Sequence, residues 1–236
     1  MTATAYAAPT PVVFYIHDDL SDDVRRVHGA DSLALQLTQE LFTLVRRRPE
    51  RVVVLHLEEQ IARLIAGTVS SPFAVTIGIG AAGERVARQV HQRTGWFPHI
   101  RRVEVSREED NAGGYTLVST TDEPLLRQVH GLEACPSVAV VDDTVFSGLT
   151  MRTVLQALPA TVLARTQAFC LRGVAESLPG VRALCPLAIG FAAPGRLLDE
   201  VSFINAAGLV RRRLVPRPAP PSSSKLIHPA VPESGT

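Results

Sequence analysis

Along this chain, short unbroken apolar runs alternate with longer segments whose apolar residues recur every three or four positions. The runs VVFYIH (12–17), VVVLHL (52–57), FAVTIGIG (73–80), IRRVEVS (100–106) and SVAVVDD (137–143) read as strands. TVLARTQAFCLRG (161–173) and VRALCPLAIGF (181–191) read as two more, and YTLVST (115–120) as a shorter one. Helical patterns lie between them. From Asp31, an N-cap residue, to Arg48, the residues Leu33, Leu37, Leu41, Leu44 and Val45 fall on one face, and Pro49 stops the helix. EEQIARLIAG (58–67), AAGERVARQVHQRTG (81–95), DEPLLRQVH (122–130) and LTMRTVLQAL (149–158) are further helices. HDDLSDDVRRVHG (17–29), dense in charge, reads as a polar connection. Strands that alternate with helices of this length build βαβ units, so the expected fold is α/β with a doubly wound, mostly parallel sheet.

Three stretches follow from the same pattern. Residues 1–30 form an irregular N-terminal extension, 31–215 a single α/β domain, and 216–236 a proline- and serine-rich tail expected to be disordered. With 236 residues, 46% of them hydrophobic, the chain can fill one core of ordinary size. Lys+Arg 24 against Asp+Glu 23 leaves a net charge of +1, which supplies no field toward nucleic acid or anionic lipid, so neither is an expected partner. Cys135, Cys170 and Cys185 show no Cys-x-x-Cys spacing and read as reduced, buried thiols, which fits a cytoplasmic location. The start MTATAYAAPTP has no basic segment followed by an apolar one, and no run approaches the ~20 apolar residues of a membrane span.

One stretch concentrates chemistry. In VAVVDDTVFSGLT (138–150) an apolar strand delivers Asp142 and Asp143 to the carboxyl edge of the sheet, where ligands of open α/β folds bind. A turn then leads into a helix near Leu149. The first turn of a helix leaves N–H groups without partners, the dipole adds positive potential, Gly148 lets the backbone approach an anion, and Ser147 and Thr150 add hydroxyls. That turn suits a phosphate. The adjacent carboxylates suit sugar hydroxyls, or a cation bridged to the same ligand. A sugar phosphate satisfies both halves.

These residues resemble the 13-residue signature of the type I phosphoribosyltransferases, which use 5-phospho-α-D-ribose 1-diphosphate (PRPP). The resemblance implies that Asp142 and Asp143 hold the ribose hydroxyls, and touch Mg²⁺ only through PRPP or water, while Thr144, Val145, Phe146, Ser147, Gly148, Leu149 and Thr150 wrap the 5′-phosphate. It implies transfer of the phosphoribosyl group to a nitrogenous base with release of diphosphate, Mg²⁺ as cofactor, a hood built from the chain termini, and a homodimer. The family's diphosphate loop maps onto Gly80, Ala81, Ala82 and Gly83, where many relatives carry a cation that this chain lacks. Its mobile basic loop maps onto SREEDNAGGY (106–115), with Arg107 as cation and Gly113-Gly114 as hinge. Phe146 stands where the 6-oxopurine branch has an aspartate, which disfavours that substrate class and makes Phe146 an acceptor-pocket residue together with Phe203.

Two alternatives stand beside transfer. The missing loop cation and the bulk of Phe146 suit a noncatalytic PRPP-binding regulatory protein. Gly78-Ile-Gly80-Ala-Ala-Gly83 also matches G-x-G-x-x-G, with Glu104 near the end of the next strand, as in dinucleotide-binding folds. The pairs Asp18-Asp19 and Asp22-Asp23 read as a solvated loop, and His17 and His56 as structural.

Overall fold

The computed structural model describes residues 14–18, 20–47, 49–50, 52–68, 72–109, 115–194 and 196–197, all of them in one unit of the chain. The chain opens with β1 (Phe14–His17), α1 (Leu20–His28), α2 (Leu33–Arg46), β2 (Val52–Leu55) and α3 (Leu57–Ala66). It continues through β3 (Val75–Ile79), α4 (Gly80–Thr94), β4 (Ile100–Val103), β5 (Val105–Glu109), β6 (Tyr115–Ser119) and α5 (Leu125–Gln128). The remainder is β7 (Val138–Val145), α6 (Leu149–Gln156), α7 (Ala160–Leu163), β8 (Thr166–Val174), α8 (Leu178–Arg182), β9 (Leu187–Ala193) and β10 (Arg196–Leu197).

Five strands form a wholly parallel sheet in the order β4-β3-β7-β8-β9. The central position of β7 explains its unbroken VAVV run, since such a strand must be apolar on both faces. On one face, Ile61 and Leu64 of α3 and Val86, Ala87 and Val90 of α4 pack against Ala139, Val141, Phe169 and Leu171. On the other, Met151, Val154 and Leu155 of α6 and Val181 of α8 pack against Val138, Val140 and Cys170. The sheet is therefore doubly wound. A second parallel sheet has the order β10-β1-β2, and β5 and β6 form an antiparallel ribbon.

Several element readings change. The polar connection 17–29 contains α1, because Leu20 and Val24, one helical turn apart, are both buried among its charges. Ser32, not Asp31, caps α2, its Oγ accepting from Leu35 N at 3.2 Å. The buried face of α2 is Leu35, Thr38, Phe42 and Val45. Leu33, Leu37 and Leu44 are exposed, at 53%, 43% and 58%. Burying the largest side chain, Phe42, sets the helix rotation, and Thr38 goes inside at little cost because its hydroxyl donates to Ala34 O. The runs beginning at 161 and 181 start inside short helices: α7, capped by Pro159, and α8, which carries Pro179 in its first turn. The strand expected over 100–106 stops at Val103, and β5 leaves the sheet to pair with β6.

Candidate functional site

The acidic pair lies inside β7, which runs four residues past the apolar stretch. Its ladder with β8 pairs Val138↔Thr166 through Asp142↔Cys170 and resumes at Thr144↔Arg172 and Val145↔Gly173, skipping Asp143 opposite Leu171. Side-chain alternation shifts across the skip. Val138 and Val140 belong to the core layer of α6 and α8, and so does Val145, an odd number of positions further on. This local break brings Asp143, Thr144 and Arg172 together. Asp142 is 7% exposed and its Oδ1 accepts from the Asp143 amide at 2.9 Å.

Arg172 escaped the sequence reading. It is fully buried, yet its guanidinium reaches three polar groups. Nε donates to Thr144 Oγ1 at 2.9 Å, one terminal nitrogen donates to Gln60 Oε1 on α3 at 3.2 Å, and the other lies 3.6 Å from Asp143 Oδ2. Thr144 in turn donates from its hydroxyl to Asp143 Oδ2 at 3.2 Å. The signal available in the sequence was an arginine inside the apolar run AFCLRG, where a buried charge demands a partner.

Gly80, Ala81, Ala82 and Gly83 form the first turn of α4, directly after β3, instead of a loop. A Cβ on Gly83 would come within 2.3 Å of Val141 O and 3.3 Å of Asp142 Cα, so only glycine lets the start of α4 lie against the end of β7. The two predicted pieces thus meet at the carboxyl edge of neighbouring strands. Glu84 follows at once, and Arg88 and Arg102 bind its carboxylate, at 2.5 Å and 3.4 Å. The hydrogen bond from Arg88 is the chief reason that Glu84 is held below the usual carboxylate range. These two arginines offset a negative charge that would otherwise repel an anion at this helix end. Glu104, the acidic residue of the dinucleotide alternative, pairs with Arg102 and raises its pKa.

Of the expected phosphate wrap, Thr144 and Val145 are buried in β7, and the turn itself is Phe146, Ser147 and Gly148. Gly148 has φ +74° and caps α6, with Leu149 N donating to Ser147 Oγ at 3.3 Å. Leu149 and Thr150 begin the helix. Arg152, one turn on, runs close to Gly148 and Gly180, and its buried Nε has no partner among the described residues. Phe146 is half-buried in a cluster with Leu55, Tyr15, Phe191 and Ala193, where β2, β1 and β9 meet. The Tyr15 and Phe191 rings lie 5.4 Å apart. Arg107 stands on β5 opposite Leu117, in a strand instead of the expected loop. Gly113, Gly114 and Phe203 lie outside the described residues. Asp18, read as solvated, accepts from Leu57 N at 2.9 Å at the start of α3 and pairs with His56 at 2.9 Å.

A surface cavity of about 640 Å³ opens at the opposite, amino edge of β3 and β4, lined in part by Arg88, His91, His99 and Arg101. Neither Asp142 nor Asp143 lines it. Among the described residues no group of three or more His, Cys, Asp or Glu side chains could hold a metal ion, and no helix is long and apolar enough to cross a membrane.

The fold and this edge define a class: a doubly wound parallel α/β protein whose acidic strand end and glycine-bearing helix starts converge where such sheets bind ligands. No family model matches the chain, and no curated protein matches it by sequence. Among solved structures it is similar to purine phosphoribosyltransferase from Pyrococcus horikoshii Ot3, with 18% identity over 62% of this chain and 90% of that one, at a TM-score of 0.46. It is similar to Helicobacter pylori xanthine-guanine-hypoxanthine phosphoribosyltransferase, with 13% identity over 64% of this chain and 93% of that one, at 0.40. A hypothetical protein from Neisseria gonorrhoeae with bound ppGpp is similar at 19% identity over 65% of this chain and 92% of that one, at 0.44.

Proposed function

We propose that the chain binds PRPP with Mg²⁺ at the carboxyl edge of β3 and β7 and transfers its phosphoribosyl group to a nitrogenous base, releasing diphosphate. The observation that carries this reading is the contact of Gly83 with the Val141–Asp142 backbone, which sets a helix start and an acidic pair side by side. In this reading Asp142 and Asp143 receive the ribose hydroxyls, the first turn of α4 receives diphosphate through backbone N–H groups, and the Phe146–Gly148 turn receives the 5′-phosphate. Asp142 and Asp143 would hold Mg²⁺ only indirectly, through PRPP or water, and the ion would supply positive charge to the diphosphate. Positive charge developing on the ribose is favoured by the carboxylates beside it. Phe146, with Tyr15 and Phe191 behind it, offers an aromatic wall for a flat acceptor.

A second reading, PRPP binding without turnover, is favoured by the first turn of α4, where Ala81 and Ala82 supply no cation to the diphosphate. Calorimetric titration of PRPP with and without Mg²⁺, on the native protein and on Asp142→Asn/Asp143→Asn, tests the site. Micromolar binding lost in the double variant is expected, and absence of binding in the native protein overturns both readings. Diphosphate release across a panel of bases then separates them.

A further inference from the structure

We infer that Arg172 is the positioning residue of the acidic pair, holding the Asp143 carboxylate in the pose that receives the ribose; this rests on the PRPP reading above. The β7–β8 ladder skips one step, at Asp143 and Leu171. Unbroken alternation would place Asp143 and Thr144 on opposite faces of the sheet; the skip puts both beside Arg172, where β8 faces α3.

The network has a direction. Arg172 donates from Nε to Thr144 Oγ1, which leaves the Thr144 hydrogen to point at Asp143 Oδ2. The guanidinium end 3.6 Å from the same Oδ2 adds a charge to that oxygen. Both contacts fall on Oδ2, so Oδ1 of Asp143 is the oxygen left to turn outward to a ligand. Gln60 fixes the far side. It is 2% exposed, accepts from Arg172 through Oε1, and its buried Nε2 has no partner among the described residues. Rotating the Gln60 amide would set two donors against the guanidinium, so its orientation is dictated by Arg172. A planar fork contacting three residues on two elements holds a carboxylate in one rotamer; a lysine, a point charge on a flexible stem, would not. Asp143 is only partly buried, its side chain 15% exposed, so one part of the carboxyl meets solvent while the other is anchored.

A positioning role predicts selective damage. Arg172→Met and Asp143→Asn each weaken binding of PRPP and of ribose 5-phosphate about tenfold, the double variant is no weaker than either single one, and affinity for inorganic diphosphate with Mg²⁺ is unchanged. Arg172→Lys recovers less than half of the loss. A folded Arg172→Met that binds PRPP as the native protein does, or that loses diphosphate in the same proportion, overturns the inference. Native protein that binds neither PRPP nor ribose 5-phosphate overturns the PRPP reading itself. If Arg172→Met fails to fold, Thr144→Val and Gln60→Met cut the network on either side of the arginine and are scored the same way.

Discussion

Gly83 touches two backbone segments at once, and its substitution is correspondingly informative. Gly83→Ala drives a methyl group against the Val141 carbonyl, which neither strand nor helix can vacate, and should destabilise the protein by about 1–3 kcal/mol in urea denaturation. PRPP binding should weaken in parallel, since the displaced backbone carries Asp142. The cysteines behave as the sequence suggests in part. Cys170 and Cys185 are buried, whereas Cys135 is only half-buried. A thiol reagent added to native protein should therefore modify Cys135 quickly and the other two only on unfolding; fast reaction of Cys170 would contradict its burial. Asp142, Asp143 and Gly148 could be singled out beforehand because each sits at a fixed offset from a strand or helix. Arg172 showed in the sequence only as a charge inside an apolar run, because its partners Thr144 and Gln60 are distant along the chain and meet it only through the sheet and α3.

Helix α2 shows where periodicity misleads. Five apolar residues define a tidy stripe, but the packed face is set by Phe42 and Val45 with Leu35, and tolerates Thr38. Counting leucines weighs number, whereas packing weighs volume and fit. Phe42→Ala should cost about 3–5 kcal/mol, while Leu37→Gln should stay within about 0.5 kcal/mol of the native protein; the reverse order in thermal or chemical melts would restore the leucine face. The central strands were legible for a different reason. Runs such as VAVV and AVTIGI must be buried on both sides, and only the middle of a parallel sheet accommodates them. What the pattern concealed was the far end of β7, since a ladder that skips one residue leaves no mark in hydrophobic spacing.

At the scale of the molecule, pH should reveal which buried groups resist ionisation. Burial, reinforced by Asp142 and then Asp143, raises the Cys170 thiol well above its ordinary value, and burial raises Cys185. The folded state thus prefers both thiols protonated. Their contribution is complete below the unfolded thiol pKa, about 8.5, and is lost as pH rises toward the folded values. Denaturation midpoints should hold level near neutrality and decline above about pH 9, and Cys170→Ala should flatten the decline. Glu84 acts with opposite sign. Its lowered pKa stabilises above the ordinary carboxylate range and fades as pH falls through the folded value, a small effect because Arg88 is largely exposed.

The small sheet carries a consequence for synthesis. β1 takes β2 as one neighbour and β10 as the other, with Phe14 opposite Arg196 and Tyr15 opposite Leu197. A ribosome releases β1 first among the described elements and β10 last. For nearly the whole of translation β1 therefore presents a bare strand edge, the kind that recruits other chains. The nascent protein should be most prone to aggregation in the interval before β10 emerges, and a chaperone that shields β1 during that interval should raise yield without changing the stability of the finished fold.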